Sequence, residues 1–237
     1  MRLLLLPGMD GTGRLFEPLC AALPPSVSAE ALAYPPDEAL GYEELLPLAL
    51  AAADGGPFVV LGESFSGPLA LMLAARRPPG LRGVVLCASF VRSPFPVPVR
   101  WRGAARPWMF RAAPLRLLSW ALLGRHGFGR LGRLLRSAAG SASPVALAAR
   151  ARAIAGVDVT AELRACPAPI LYLRAAGDLV VRAWCWELIR SVRSDVEVAV
   201  LPGPHLVLQA SAREAADALA RFCERAAGPG ESLRSSR

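Results

Sequence analysis

The chain contains no lysine; all 27 of its basic residues are arginine. This rules out a phosphate-binding loop of the kind that ends in lysine. The choice of arginine itself follows from genomic base composition. Histidine is almost as scarce, with only His126 and His205 in 237 residues. The five cysteines, Cys20, Cys87, Cys166, Cys185 and Cys223, are widely spaced and form no Cys-x-x-Cys pair. That argues against a disulfide framework and against a zinc site, and fits buried, reduced thiols in a cytoplasmic protein. Neither a metal nor an organic cofactor is implied. Long apolar runs are missing too, since none approaches the ~20 residues that span a bilayer. The opening Leu3-Leu4-Leu5-Leu6 falls short of the ~7–15 apolar residues of a signal-peptide core. It breaks at Pro7-Gly8 and reads as a first buried strand.

Acidic residues are absent from one region only. Twelve arginines and no Asp or Glu lie between Arg92 and Arg152, while the rest of the chain carries 15 arginines against 19 acids. Base composition does not explain that localisation. The same region breaks an otherwise regular order. Outside it, apolar runs at 2–6, 27–33, 58–62, 83–88, 169–173 and 196–201 alternate with helical patterns near 14–23, 42–53, 65–77, 181–191 and 211–226. Such alternation predicts an α/β fold with a mostly parallel sheet of about six strands and helices on both faces. Residues 1–90 and 157–227 form the expected core. Residues 91–156 are expected to be a helical lid inserted over the sheet, with helices at 105–123 and 143–155 and a glycine-rich break at 124–132. Residues 228–237 are a polar, flexible tail.

The most informative stretch is Phe58-Val59-Val60-Leu61-Gly62-Glu63-Ser64-Phe65-Ser66-Gly67, an apolar run that drives into a glycine-flanked serine and then a helical pattern. A strand, tight turn and helix can lift a serine hydroxyl clear of a sheet as a nucleophile. The pattern is Gly-x-Ser-x-Gly, and here Ser66 stands at the last position with Gly67 one later. Ser66 as an alternative nucleophile would point away from any base at the strand ends. Glu63 is expected to line the turn or pair with an arginine.

A serine nucleophile needs a base, and a parallel sheet gathers functional residues at the carboxyl ends of its strands. His205 follows the last strand in Leu201-Pro202-Gly203-Pro204-His205, whereas His126 lies in the insertion and reads as a surface or lid residue. The base in turn needs an acid that orients it. Asp178 follows the strand near 169–173 in a glycine turn and is preferred over Asp158, read as a helix cap, and Asp195, in a turn before a strand. An oxyanion needs N–H donors. Gly8 lets the backbone turn so that the Met9 N–H can face the site, and the Phe65 N–H at the helix start is the second candidate. The glycines here run Gly-x-x-Gly-x-Gly, the reverse of a dinucleotide loop.

These residues resemble those of the α/β-hydrolase superfamily, of the esterase and lipase kind. The opening Leu-Leu-Pro-Gly-Met-Asp-Gly-Thr-Gly is similar to that of bacterial single-domain members and, more distantly, to pimeloyl-[acyl-carrier-protein] methyl ester esterases. The resemblance covers roughly 2–90 and 157–226. It implies Ser64 as nucleophile, His205 as base, Asp178 as acid, and Met9 and Phe65 as backbone oxyanion donors. The implied activity is hydrolysis of a carboxylic ester or thioester, with acyl transfer through the same residues as an alternative. A non-catalytic hydrolase-fold binding protein is the alternative of another kind. The sequence departs from the family at Pro7, where a histidine is common, at Ser66, and in the absence of the family's first hairpin.

The insertion interleaves Trp101, Trp108, Phe110 and Trp120 with arginines such as Arg125, Arg130 and Arg133. Its substrate is expected to be a small-molecule or carrier-linked acyl ester. The basic face could steer an acidic carrier protein or meet an anionic membrane surface, or it could be only a solvated face. No nucleic-acid module accompanies the charge. Oligomeric state is left open.

Overall fold

The computed structural model describes residues 1–95, 98–111, 115–127 and 129–228, with side chains from 99 and 115–118 left aside. Six strands, β1 (Arg2–Leu6), β2 (Ser28–Ala31), β3 (Phe58–Glu63), β4 (Leu81–Cys87), β5 (Ile170–Ala175) and β6 (Glu197–Leu201), form one sheet in the order β2-β1-β3-β4-β5-β6. Every pairing is parallel. All six strands fall where the apolar runs predict them.

Strand periodicity divides the core into two layers. Leu4, Leu6, Val60, Leu86 and Tyr172 point to one face and pack against α2 (Tyr42–Ala52), α3 (Ser66–Ala75), α8 (Thr160–Ala165) and α9 (Ala183–Val192). Leu3, Leu5, Leu61, Val85 and Leu173 point to the other and pack against α1 (Glu17–Ala22) and α11 (Ala212–Ala227). Because both faces are covered, the central strands are apolar at nearly every position rather than alternating.

The chain leaves the sheet after β4 and returns before β5. Departure and return run side by side: Val159 N–H donates to Val91 O at 2.8 Å, and Arg92 bridges to Asp158. Between them lie α4 (Pro107–Arg111), α5 (Leu115–Leu123), α6 (Arg130–Ala139) and α7 (Pro144–Gly156). The helical pattern expected over 105–123 is met by α4 and α5, and residues 112–114 lie outside the described residues. Within the expected glycine-rich break at 124–132 lie a short 3-10 turn, Gly124–Gly127, and the start of α6 at Arg130. Gly132 sits inside that helix because a Cβ there would meet the Gly127 carbonyl oxygen at 1.9 Å. Close backbone approach, not a loop, calls for the glycine. The tail expected after Gly228 also lies outside the described residues.

Leu123, Leu135 and Ala138 of the insertion pack on Leu15, which follows the β1 loop, and on Leu206. Leu206 N–H donates to Leu122 O at 2.9 Å. The insertion is thereby seated at the carboxyl end of the sheet. A short helix, α10 (Val207–Ala210), links that seat to α11.

Candidate active site

Strand β3 ends in a turn that places Ser64 at φ 49°, in the left-handed region. A non-glycine residue there costs about 1–3 kcal/mol and persists only where its surroundings hold it. They do so on both sides. Ser64 N–H donates to Cys87 O at 2.8 Å, and Ser64 O accepts from Ser89 Oγ at 2.6 Å and from Gly67 N–H at 3.2 Å. Gly62 is required because a Cβ would sit 2.3 Å from Ser66 O. Gly67 is required because a Cβ would sit 1.8 Å from Ser89 Oγ. The displaced glycine of the motif thus answers to Ser89, packed against it from the β4 side.

His205 Nε2 lies 2.8 Å from Ser64 Oγ, and His205 Nδ1 lies 2.8 Å from Asp178 Oδ2. A carboxylate only accepts, so Nδ1–H donates to it and the Nε2 lone pair faces the serine hydroxyl. The other carboxylate oxygen, Asp178 Oδ1, accepts the N–H groups of Val180 and Val181, each at 2.8 Å. The acid and histidine loops are joined by the Gly177 N–H, which donates to Gly203 O at 2.8 Å. Both side chains of the pair are almost wholly buried. Three strand ends therefore bring Ser64, His205 and Asp178 into one hydrogen-bonded line.

The other candidates lie elsewhere. Asp158 accepts from Thr160 and Arg92, and Asp195 from Arg193. His126 sits half-buried in the 3-10 turn of the insertion. Ser66 is fully buried; its Oγ donates to Pro7 O and lies 2.6 Å from the Tyr34 hydroxyl.

Met9 follows β1 and Phe65 opens α3. Among the described residues neither N–H has a hydrogen-bond acceptor. The Phe65 ring turns away into the core, stacked on Tyr42 with centroids 4.7 Å apart, and Tyr42 Oη donates to Phe65 O at 2.8 Å. Trp101, Trp108 and Trp120 are 56%, 66% and 60% exposed, Phe110 is half-buried, and Arg125, Arg130 and Arg133 are exposed. Arg130 pairs with Glu17 of α1.

Four features escape the sequence reading. Arg150 of α7 is wholly buried and reaches the loop that carries Met9. Its only sequence signal is its place on the stripe of buried alanines Ala146 and Ala149. Tyr34 and Ser89 carry no signal. Among the described residues Glu63 pairs with no arginine. Its Oε1 accepts from Gln209 Nε2 at 3.0 Å, and among the described residues its Oε2 has no partner. Burial in this apolar strand end pushes its carboxyl up to about 7, against the Gln209 hydrogen bond, with Asp10 raising it and His205 lowering it. Among the described residues no group of three His, Cys, Asp or Glu side chains is arranged to hold a metal, and no helix is long and apolar enough to cross a membrane.

A family model described as the alpha/beta hydrolase family matches residues 3–221. The chain belongs to the alpha/beta hydrolase family. No curated protein matches it by sequence. Its fold is shared with an enol-lactonase from Burkholderia xenovorans LB400 at TM-score 0.78 and 17% identity, covering 94% of this chain and 91% of that one. A bromoperoxidase from Bacillus anthracis is similar at TM-score 0.79 and 16% identity, with the same coverage. A thermophilic esterase from Thermogutta terrifontis is similar at TM-score 0.76 and 19% identity, covering 95% of this chain and 90% of that one. Within this family fold the β3–α3 turn is where the strained serine sits.

Proposed function

We propose that this alpha/beta hydrolase-family protein is a serine hydrolase that cleaves a carboxylic ester or thioester through an acyl-enzyme on Ser64. One observation carries the reading: the unbroken line from Asp178 Oδ2 through His205 to Ser64 Oγ, with 2.8 Å at both junctions. Ser64 Oγ attacks the carbonyl carbon while His205 Nε2 takes its proton. The imidazolium is stabilised by Asp178. Negative charge on the carbonyl oxygen is met by the Met9 and Phe65 N–H groups. Collapse of the tetrahedral intermediate releases the alcohol or thiol with the proton from His205. Water then attacks the acyl-enzyme with His205 as base, and Ser64 leaves reprotonated. A fluorophosphonate probe tests this. Ser64 should be labelled, and Ser64→Ala should abolish both labelling and ester turnover. Well-folded wild-type protein that takes no label and turns over neither short nor long acyl esters would sink the reading.

We infer further that residues 91–156 form a lid whose outward face meets an anionic membrane surface bearing the substrate. Support comes from the seat of α5 and α6 beside His205, the twelve arginines without an acid, and the exposure of Trp101, Trp108 and Trp120. Exposed indole rings among arginines suit the headgroup region of a lipid layer better than the charged face of an acidic protein.

A further inference from the structure

The loop after β1 has every carbonyl from Pro7 to Asp10 occupied. Pro7 O accepts from Ser66 Oγ, Gly8 O from Gly11 N–H at 3.0 Å, Met9 O from Arg150 Nη1 at 2.9 Å, and Asp10 O from the same nitrogen at 3.1 Å. In a trans peptide the C=O and the N–H lie in one plane and point in opposite directions. The Gly8 carbonyl is turned into the loop, so the Met9 N–H on the same plane is turned out of it. With the carbonyls on either side also held, that plane cannot rotate without breaking one of these bonds.

The groups that hold it are themselves joined. Arg150 Nη2 donates to Pro35 O at 3.0 Å, and the guanidinium lies over the Tyr34 ring, 5.5 Å from its centroid. The Tyr34 hydroxyl lies 2.6 Å from Ser66 Oγ, which returns to Pro7. The contacts close a ring from Pro7 through Ser66, Tyr34 and Arg150 to Met9. Gly11, at φ 72°, leaves the space the guanidinium fills, since a Cβ there would sit 2.6 Å from Nη1. Among the described residues Arg150 makes no ion pair. Its Nε has no partner among the described residues, and a buried cation held only by carbonyls and a ring face is a costly way to stabilise a fold. A rigid loop is what such a cost secures.

We propose that Arg150, Tyr34 and Ser66 are positioning residues that aim the Met9 N–H at the oxyanion formed on Ser64. Ser66 stands where the turn motif asks for glycine because its hydroxyl is part of this clamp. Arg150 comes from the last helix of the insertion, so the same clamp ties the seat of the lid to the oxyanion site. The proposal rests on the esterase reading above.

The test compares wild type with Ser66→Gly, Tyr34→Phe, Arg150→Lys and Arg150→Met on a short soluble ester and on a trifluoromethyl ketone. Ser64 Oγ adds to the ketone carbon, His205 takes the proton, and the former carbonyl oxygen becomes an oxyanion. Losing one oxyanion donor costs about 10²–10³ in kcat, so misaiming one should cost about 10- to 100-fold, with KM within about twofold. Affinity for the ketone should fall in parallel, and Arg150→Lys should recover part of the loss seen in Arg150→Met. Ser66→Gly with Tyr34→Phe should be little worse than either alone, because both break one chain. Folded Ser66→Gly or Tyr34→Phe protein with wild-type kcat and ketone affinity would overturn the clamp, as would a raised KM at unchanged kcat. Ser66→Gly removes no buried charge, so the test survives if the Arg150 variants do not fold. A wild-type protein that neither binds the ketone nor takes the fluorophosphonate label would instead overturn the esterase reading, and the clamp's role with it.

Discussion

The Ser89 hydroxyl donates to the carbonyl of Ser64 at 2.6 Å and at the same time fills the space beside Gly67. The residue that steadies the strained serine is thus also the reason that position 67 is glycine. Gly67→Ala should destabilise the protein by about 1–3 kcal/mol, the usual cost of overpacking. Gly67→Ala with Ser89→Gly should recover stability in urea denaturation because the clash is gone. It should not recover ester turnover, because Ser64 then loses the hydrogen bond to its carbonyl. Recovery of both would show that Ser89 only fills space.

Asp178→Asn keeps the shape of the acid but leaves His205 Nδ1 facing an amide. Turnover should fall on the order of 10⁴-fold, as expected when the wrong imidazole tautomer is favoured. Asp158→Asn weakens a half-exposed pair with Arg92 and should cost about 1 kcal/mol or less. Its turnover should match wild type. The reverse ranking of the two variants in kcat would transfer the acid's role to Asp158.

How much of this site can be read from the chain depends on how far each contact travels through the fold. Ser64, Asp178 and His205 each follow an apolar run within a few residues, so local pattern places all three at one edge of the sheet. The strands are legible for the same reason, since central parallel strands are apolar on both faces. Arg150 is different. Its partners Met9 and Asp10 lie some 140 residues away, and only its place beside Ala146 and Ala149 separates it from the arginines around it. Ser89 and Tyr34 acquire their roles only from packing against the turn. Gly132 misleads for a physical reason, because a glycine that admits a neighbouring backbone looks in sequence like one that breaks a helix.

Glu63 makes stability depend on pH. Its carboxyl is raised from 4.5 to about 7 in the folded protein, chiefly by burial. Below about pH 4.5 it is protonated both folded and unfolded and carries no penalty. Between about 4.5 and 7 the unfolded chain releases the proton while the folded one keeps it, so stability falls as pH rises. Well above 7 the full penalty is present, on the order of 3 kcal/mol. Glu63→Gln keeps an acceptor for Gln209 and cannot ionise. Its stability relative to wild type should therefore rise from pH 5 to about pH 7 and level off above that in urea denaturation. A difference that does not change with pH would mean that Glu63 is already charged in the folded protein across the whole range.

The outward face of the insertion sets the last expectation. Wild-type protein should co-sediment with vesicles containing phosphatidylglycerol and much less with pure phosphatidylcholine, and salt should weaken the binding. Trp101→Ser with Trp108→Ser should weaken binding even at low salt, because inserted rings contribute apolar area that arginines alone do not. Arg125→Glu with Arg133→Glu should weaken it by removing charge attraction. Neither pair should alter turnover of a short soluble ester by more than about twofold, since these side chains are exposed and, among the described residues, none is hydrogen-bonded to Ser64, His205 or Asp178. If the tryptophan variants bind as wild type does while the arginine reversals abolish turnover of a carrier-linked ester, the surface serves an acidic protein and not a membrane. Vesicle binding that ignores both changes would return this face to plain solvation.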